Sequence, residues 1–202
     1  MINDARRFAP ATARNREAIL DVLRRVLPSA GLVLEIASGS GEHIAHFAAN
    51  IKAPVEFQPS DVDPAARDSI DAWSRHLRLT NVRPAINLDA AAAEWPIDRA
   101  DAVLSINMIH IAPWSATIGL MRGAARLLPP NGLLYLYGPF RREGRHTATS
   151  NEAFDQGLRA QNPEWGVRDI EEVAAQAATV GFSPPEIEEM PANNLSLIFR
   201  RL

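Results

Sequence analysis

A chain of 202 residues, 47% hydrophobic and 22% charged, has the apolar content of one well-buried globular core. Its formal charge of −3, with no acidic or basic tail, gives no electrostatic footprint for nucleic acid, so no nucleic-acid partner is expected. The lack of cysteine excludes disulfides, thiolate catalysis and Cys-ligated metals.

In chain order, "TARNREAILDVLRRVL" (12–27) brings Ile19, Leu20, Leu23 and Leu27 onto one helical face, and Pro28 limits it. It belongs to an N-terminal helical segment, 1–30, packed on a single domain covering 1–202. "GLVLEIA" reads as a short buried strand, and "EHIAHFAANI" as a helix with Ile44, Phe47 and Ile51 on one face. "PVEFQPSDVD" is a strand ending in acids. Pro64 then opens a helix, where its missing N–H costs nothing, and the pattern runs through Trp73 and Leu77 toward Leu79.

"NVRPAINLD" is a weaker strand and "ADAVLSINMI" a strongly apolar one. "WSATIGLMRGAARLL" is a helix stopped by Pro129-Pro130, and "NGLLYLYGPF" a strand after an Asn-Gly turn. An Arg-rich polar loop follows, then helices over about 151–160 and 169–180. "PPEIEEMP" and "LSLIFRRL", joined by "PANN", read as a closing antiparallel hairpin. Alternating strands and helices imply an α/β, mostly parallel sheet covered on both faces, with ligands at the carboxyl ends of the strands. The N-terminus lacks the apolar run of a signal peptide, and no segment reaches the ~20 apolar residues of a bilayer span. A cytoplasmic protein without a membrane partner is the expectation.

"VLEIASGSGEHIAHF" carries the main motif. A phosphate P-loop is disfavoured, because no Lys-Ser/Thr pair follows Gly41. A dinucleotide loop is poorly supported, because Ile44 stands where the third glycine permits close helix–strand packing. The pattern of an acid, small residues and Gly-x-Gly from Glu35 to Gly41 resembles motif I of class I S-adenosylmethionine (SAM)-dependent methyltransferases, with Ala37 in place of the first glycine. Small side chains at Ala37, Ser38, Gly39 and Gly41 let the backbone approach the methionyl and ribose portion of SAM, and an acid suits its ammonium. Downstream, Asp61 matches the ribose-binding acid, with Asp63 second because Asp63-Pro64 also reads as a helix cap. Asp89 sits where such enzymes often hold the adenine amino group. "DAVLSINMIHIAPW" resembles the fourth-strand motif, with Asn107, Met108 and His110 facing the reaction site. The acids Asp61, Asp63 and Asp89 are better explained by cofactor contacts than as metal ligands, and no metal is expected.

Beyond these motifs, "RFAPATARNREAIL", "QPSDVDP", "LYGPF", "TSNEAFDQGLRAQNPEWGVRD" and "MPANNLSLIFRR" resemble the methyltransferase-like family known as domain of unknown function (DUF) 938, over essentially the entire chain. The resemblance implies a Rossmann-like class I methyltransferase fold, a seven-stranded sheet with a reversed final strand, and SAM as cofactor. It implies no particular substrate.

For chemistry, an oxygen nucleophile needs a base, and His110 is the first candidate, the alternative being a structural His bonded to a backbone carbonyl. Asn107 could orient the acceptor or satisfy the strand end. His43, in the first turn after the glycine loop, reads as a structural or cofactor-contacting residue. Tyr137, Pro139 and Phe140 could shape an acceptor pocket. Arg141, Arg142, Arg145 and His146 form either a solvated loop or a lid on an anionic substrate, with Ser150 and Asn151 capping the next helix. The leading expectation is a SAM-dependent methyltransferase with a small-molecule acceptor. A non-catalytic SAM-binding sensor or partner protein is the alternative, and an NAD-dependent oxidoreductase a weaker one.

Overall fold

Helix α1 (Pro10–Val26) begins with proline at its first position, which presets φ and lacks only an N–H that has no helical acceptor. It buries Ile19, Leu20, Val22 and Leu23 along one stripe. Strand β1 (Gly31–Ile36), helix α2 (Glu42–Asn50), strand β2 (Val55–Pro59) and helix α3 (Pro64–His76) follow. Then come β3 (Ala102–Ile106), α4 (Trp114–Leu127), β4 (Leu133–Gly138), β5 (Phe140–Arg142) and β6 (Arg145–His146). Helix α5 (Thr149–Gln161), strand β7 (Arg168–Asp169), helix α6 (Ile170–Ala178) and strands β8 (Glu186–Met190) and β9 (Asn194–Arg200) complete the order. This computed structural model describes residues 4–52 and 54–202, so positions 1–3 of the expected segment 1–30 lie outside the described residues.

The main sheet runs β2-β1-β3-β4-β9-β8. Its first four strands are parallel, and β9 and β8 form the antiparallel pair at the far edge. The chain leaves β1 toward β2 and later returns to β1's other side as β3. That reversal opens a crevice at the carboxyl ends of β1 and β3, the place where such sheets bind ligands.

The fold is the expected α/β Rossmann-like one, but the strand count differs. The seventh strand expected at "NVRPAINLD" is reduced to two parallel bridges against β2, Phe57 to Val82 and Ser60 to Ile86. Proline explains the gap. Pro59 has no N–H to donate to its neighbour, and Pro84 lies opposite. The Gln58 amide fills in by donating to the carbonyls of Pro84 (2.8 Å) and Pro59 (3.1 Å). A second correction concerns the Arg-rich loop. It is a hairpin, β5–β6, turned at Glu143 and Gly144 with φ of +50° and +73°, and β7 pairs with β5 to make a small three-stranded sheet.

Alternate strand residues face two separate apolar layers. Leu34, Ile36, Val103, Leu134, Leu136 and Phe199 pack toward α4 and α6. Val33, Leu104, Tyr135, Tyr137 and Ile198 pack with Ile19, Leu23, Phe47 and Ile70 of α1, α2 and α3. Among the described residues no helix is long and apolar enough to cross a membrane.

Candidate cofactor loop and acceptor cleft

The loop after β1 alternates left-handed residues: Ala37 (φ +56°), Gly39 (+58°) and Gly41 (+84°). Gly41 is required twice over, by its φ and because a Cβ there would lie 2.7 Å from the Ile70 backbone of α3. At Gly39 a Cβ would meet nothing within 4 Å, so the outer side of the loop is open. Ala37 holds the left-handed conformation despite its methyl group, which costs about 1–2 kcal/mol.

Asp61, buried at the end of β2, ties this loop down. Its Oδ2 accepts the Gly39 N–H at 2.9 Å and its Oδ1 the Asp63 N–H at 2.9 Å. A carboxylate has about four acceptor positions, so both oxygens retain a lone pair for a further donor such as a hydroxyl. Asp63 is the helix cap: Oδ1 accepts from Ala65 N, and Oδ2 pairs with Arg7 at 2.8 Å, which holds its pKa below the usual range. Asp89 stands at the same end of the sheet, just past the Ser60–Ile86 bridge, and is exposed; its Oδ1 accepts the Ala91 N–H at 2.8 Å.

Glu35 is only 2% exposed, and its Oε2 is buried without a hydrogen-bond partner. Burial pushes its pKa up to about 7, against the Ser38 hydroxyl and with added repulsion from Asp61. An orphaned carboxylate oxygen behind an open glycine loop fits a cationic ammonium, so the donor set here suits SAM. His43 is held between helices instead. Its Nε2 lies 2.8 Å from Asn15 Oδ1 of α1, its ring stacks on Phe47, and burial lowers its pKa to about 4.

Asn107 ends β3 with φ +62°, donating its N–H to Tyr137 O at 2.8 Å across to β4. It borders a cleft of about 380 Å³ between α1, the end of β4, α5 and the β8–β9 turn. Of the expected acceptor-pocket residues, Tyr137, Pro139 and Asn151 line this cleft. Phe140 and Arg141 do not. Phe140 is fully buried edge-on to His110 at 4.8 Å, and Arg141 faces Asp169 at 4.0 Å. Asn151 uses its amide N–H groups on Thr147 Oγ1 (3.0 Å) and Asn193 O (2.8 Å), and is not a side-chain cap. Met108 is buried in the layer facing α4 and α6.

His110 is also corrected. It is fully buried, and its Nδ1 accepts the Arg168 N–H at 3.3 Å. The neutral ring therefore carries its proton on Nε2, and its only lone pair is already engaged. Burial and the Arg168 charge lower its pKa to about 3. It braces β7 against the turn after β3, and this geometry does not suit a base.

Residues 6–201 match the family described as protein of unknown function (DUF938). The chain belongs to that family. Among solved structures, this DUF938 chain is similar to an O-methyltransferase family protein from Burkholderia thailandensis, with TM-score 0.80 and 19% identity over 95% of this chain and 57% of that one. It is similar to the S-adenosylmethionine-dependent methyltransferase SibL in its apo form, with TM-score 0.77, 17% identity, and 95% and 55% coverage. A third is CalO1, a methyltransferase in calicheamicin biosynthesis, in its SAH-bound form, with TM-score 0.75, 14% identity, and 95% and 54% coverage. The DUF938 chain thus spans a little over half the length of these proteins, and the likeness establishes the class I methyltransferase fold.

Sequence reading missed the contributions of distant elements to the cleft in this DUF938 protein: Arg14 and Asn15 of α1, Phe154 of α5, and Asn194 after the β8–β9 turn. A signal for Asn15 existed. It sits four residues before Ile19 on the buried stripe of α1, where a polar residue calls for a partner. Among the described residues no group of three or more His, Asp or Glu could hold a metal ion.

Proposed function

We propose that the protein is a SAM-dependent methyltransferase acting on a small-molecule acceptor. The observation that carries this reading is the unpartnered Oε2 of Glu35 behind the open loop at the β1–β3 reversal, with a separate cleft beginning at the neighbouring strand end. Bound SAM would supply an electrophilic methyl group on a sulfonium. Glu35 and the backbone around Ser38 and Gly39 hold the methionyl ammonium, and Asp61 accepts the ribose hydroxyls with the lone pairs that the loop leaves free. Asp89 accepts the adenine amino group at its second oxygen. Asn107 borders the cleft and orients the acceptor through its amide. With the groups aligned, positioning supplies much of the rate.

Titration calorimetry with SAM and NADH, followed by measurement of SAH formation over a panel of small acceptors, tests the proposal. SAM binding with SAH formation is expected. Tight NADH binding with no response to SAM would overturn it. One observation favours a second reading, a SAM-binding protein without turnover: no carboxylate or imidazole is among the residues lining the cleft. SAM binding with no SAH from any acceptor would support that reading.

A further inference from the structure

The cleft beside Asn107 shows a consistent polarity. Arg14 is the one charged side chain among its lining residues, is exposed, and has no ion-pair or hydrogen-bond partner among the described residues. Asn15 Oδ1 is taken by the His43 ring, whose burial keeps it neutral and donating, which leaves the Asn15 amide N–H groups for the cleft side beside the Tyr137 hydroxyl. Tyr137 is only 1% exposed, and its hydroxyl has no hydrogen-bond partner although the Asn15 and Asn194 amides stand beside it. Helix α1 brings Ala11 to the same wall, with its first turn closed by Glu42, whose Oε2 accepts the Ala9 N–H. The acceptors presented in return are the neutral amide oxygens of Asn151 and Asn194, whose N–H groups are spent on other oxygens. Apart from Asn107 at the end of β3, the remaining wall is apolar, with Ile111 and Phe154 roughly half exposed.

We infer that this cleft binds a small organic acid, its carboxylate directed to Arg14 and Asn15 and its apolar body against Ile111 and Phe154. The inference rests on the reading of the cleft as the acceptor side of a methyltransferase, but the binding it describes is independent of turnover. A single cation with no acid beside it matches a monoanion better than a phosphate dianion. A carboxylate also enters without a proton, which agrees with a lining that holds no base.

The full-length protein is titrated by calorimetry with benzoate, benzamide and phenyl phosphate, and separately with SAM. Benzoate is expected to bind about tenfold more tightly than benzamide, the scale of a charge-assisted pair. Arg14→Met should bring benzoate to the level of benzamide, while Arg14→Lys keeps part of the preference; Arg14 is exposed, so both variants are expected to fold. Three results overturn the inference: no benzoate binding, equal binding of benzoate and benzamide, or a preference that survives Arg14→Met. Tighter binding of phenyl phosphate than of benzoate overturns the carboxylate assignment. SAM binding without benzoate binding removes this inference alone, whereas benzoate binding without SAM binding removes the proposed function and leaves the cleft assignment standing.

Discussion

Glu35 is a carboxyl group whose protonation depends on what lies in front of it. With its pKa raised from 4.5 to about 7 in the fold, the folded state holds a proton that the unfolded chain releases. Its contribution to stability is therefore full below pH about 4.5 and is lost as pH rises through about 7, on the order of 3 kcal/mol in total. His43 and His110, with pKa values lowered to about 4 and about 3, act in the opposite direction: their contribution is present above pH about 6.5 and is lost as pH falls through those values. Comparing wild type with Glu35→Gln in urea unfolding at pH 5 and pH 7 isolates the carboxyl group. The variant should gain stability relative to wild type at pH 7, and an equal difference at both pH values would contradict the assignment. His110→Ala addresses the other buried ring. Loss of its packing against Phe140 and of the acceptor for Arg168 N–H should cost about 2–4 kcal/mol. Turnover per folded molecule should change only a few-fold, measured with any acceptor found active, where loss of a base would reduce it by about 10²–10⁴.

At the scale of elements, Asp169 joins two pieces of structure that lie apart in the chain. Its Oδ1 caps α6 through Glu171 N at 3.3 Å, and its Oδ2 accepts the Gly144 N–H at 2.8 Å in the β5–β6 turn. Asp169→Ala removes both acceptors from a buried site and should destabilise the protein by about 1–3 kcal/mol in chemical denaturation. A change under a few tenths would mean that solvent replaces both bonds. This also explains why the Arg-rich stretch does not read as a hairpin from sequence. Only Glu143-Gly144 marks a turn locally, while the third strand that completes the small sheet, Arg168–Asp169, lies beyond the whole of α5. The missing edge strand has a local cause instead: Pro59 and Pro84 are visible in the sequence, and their lack of N–H limits pairing wherever the segment lies.

For the molecule as a whole, the crevice at the β1–β3 reversal and the cleft beside it both sit on the carboxyl edge of one sheet with an apolar layer on each face. A ligand bound only by the folded state stabilises all of it. SAM at 100 times its Kd should add about 2.7 kcal/mol. For a chain of this size that raises Tm by roughly 5–10 °C. A thermal melt with and without SAM, against NADH as control, measures the shift, and no shift at saturating SAM would count against the proposed function.

The glycine loop, the acids after β2 and the alternation of strands and helices are legible from sequence because their causes are local. A left-handed turn selects Gly41, a helix cap selects Asp63, and side-chain period separates strand from helix. What tertiary structure alone decides is direction and company. Position after the fourth expected strand cannot tell whether His110 faces a ligand or the protein interior; the packing of β7, 58 residues downstream, places an N–H on its Nδ1. Nor can it bring Arg14 of α1 and Asn194 of β9 to the wall that Tyr137 floors. Those contacts follow from α1 and the β8–β9 turn meeting at one end of the sheet, where side chains far apart in sequence enclose the same space.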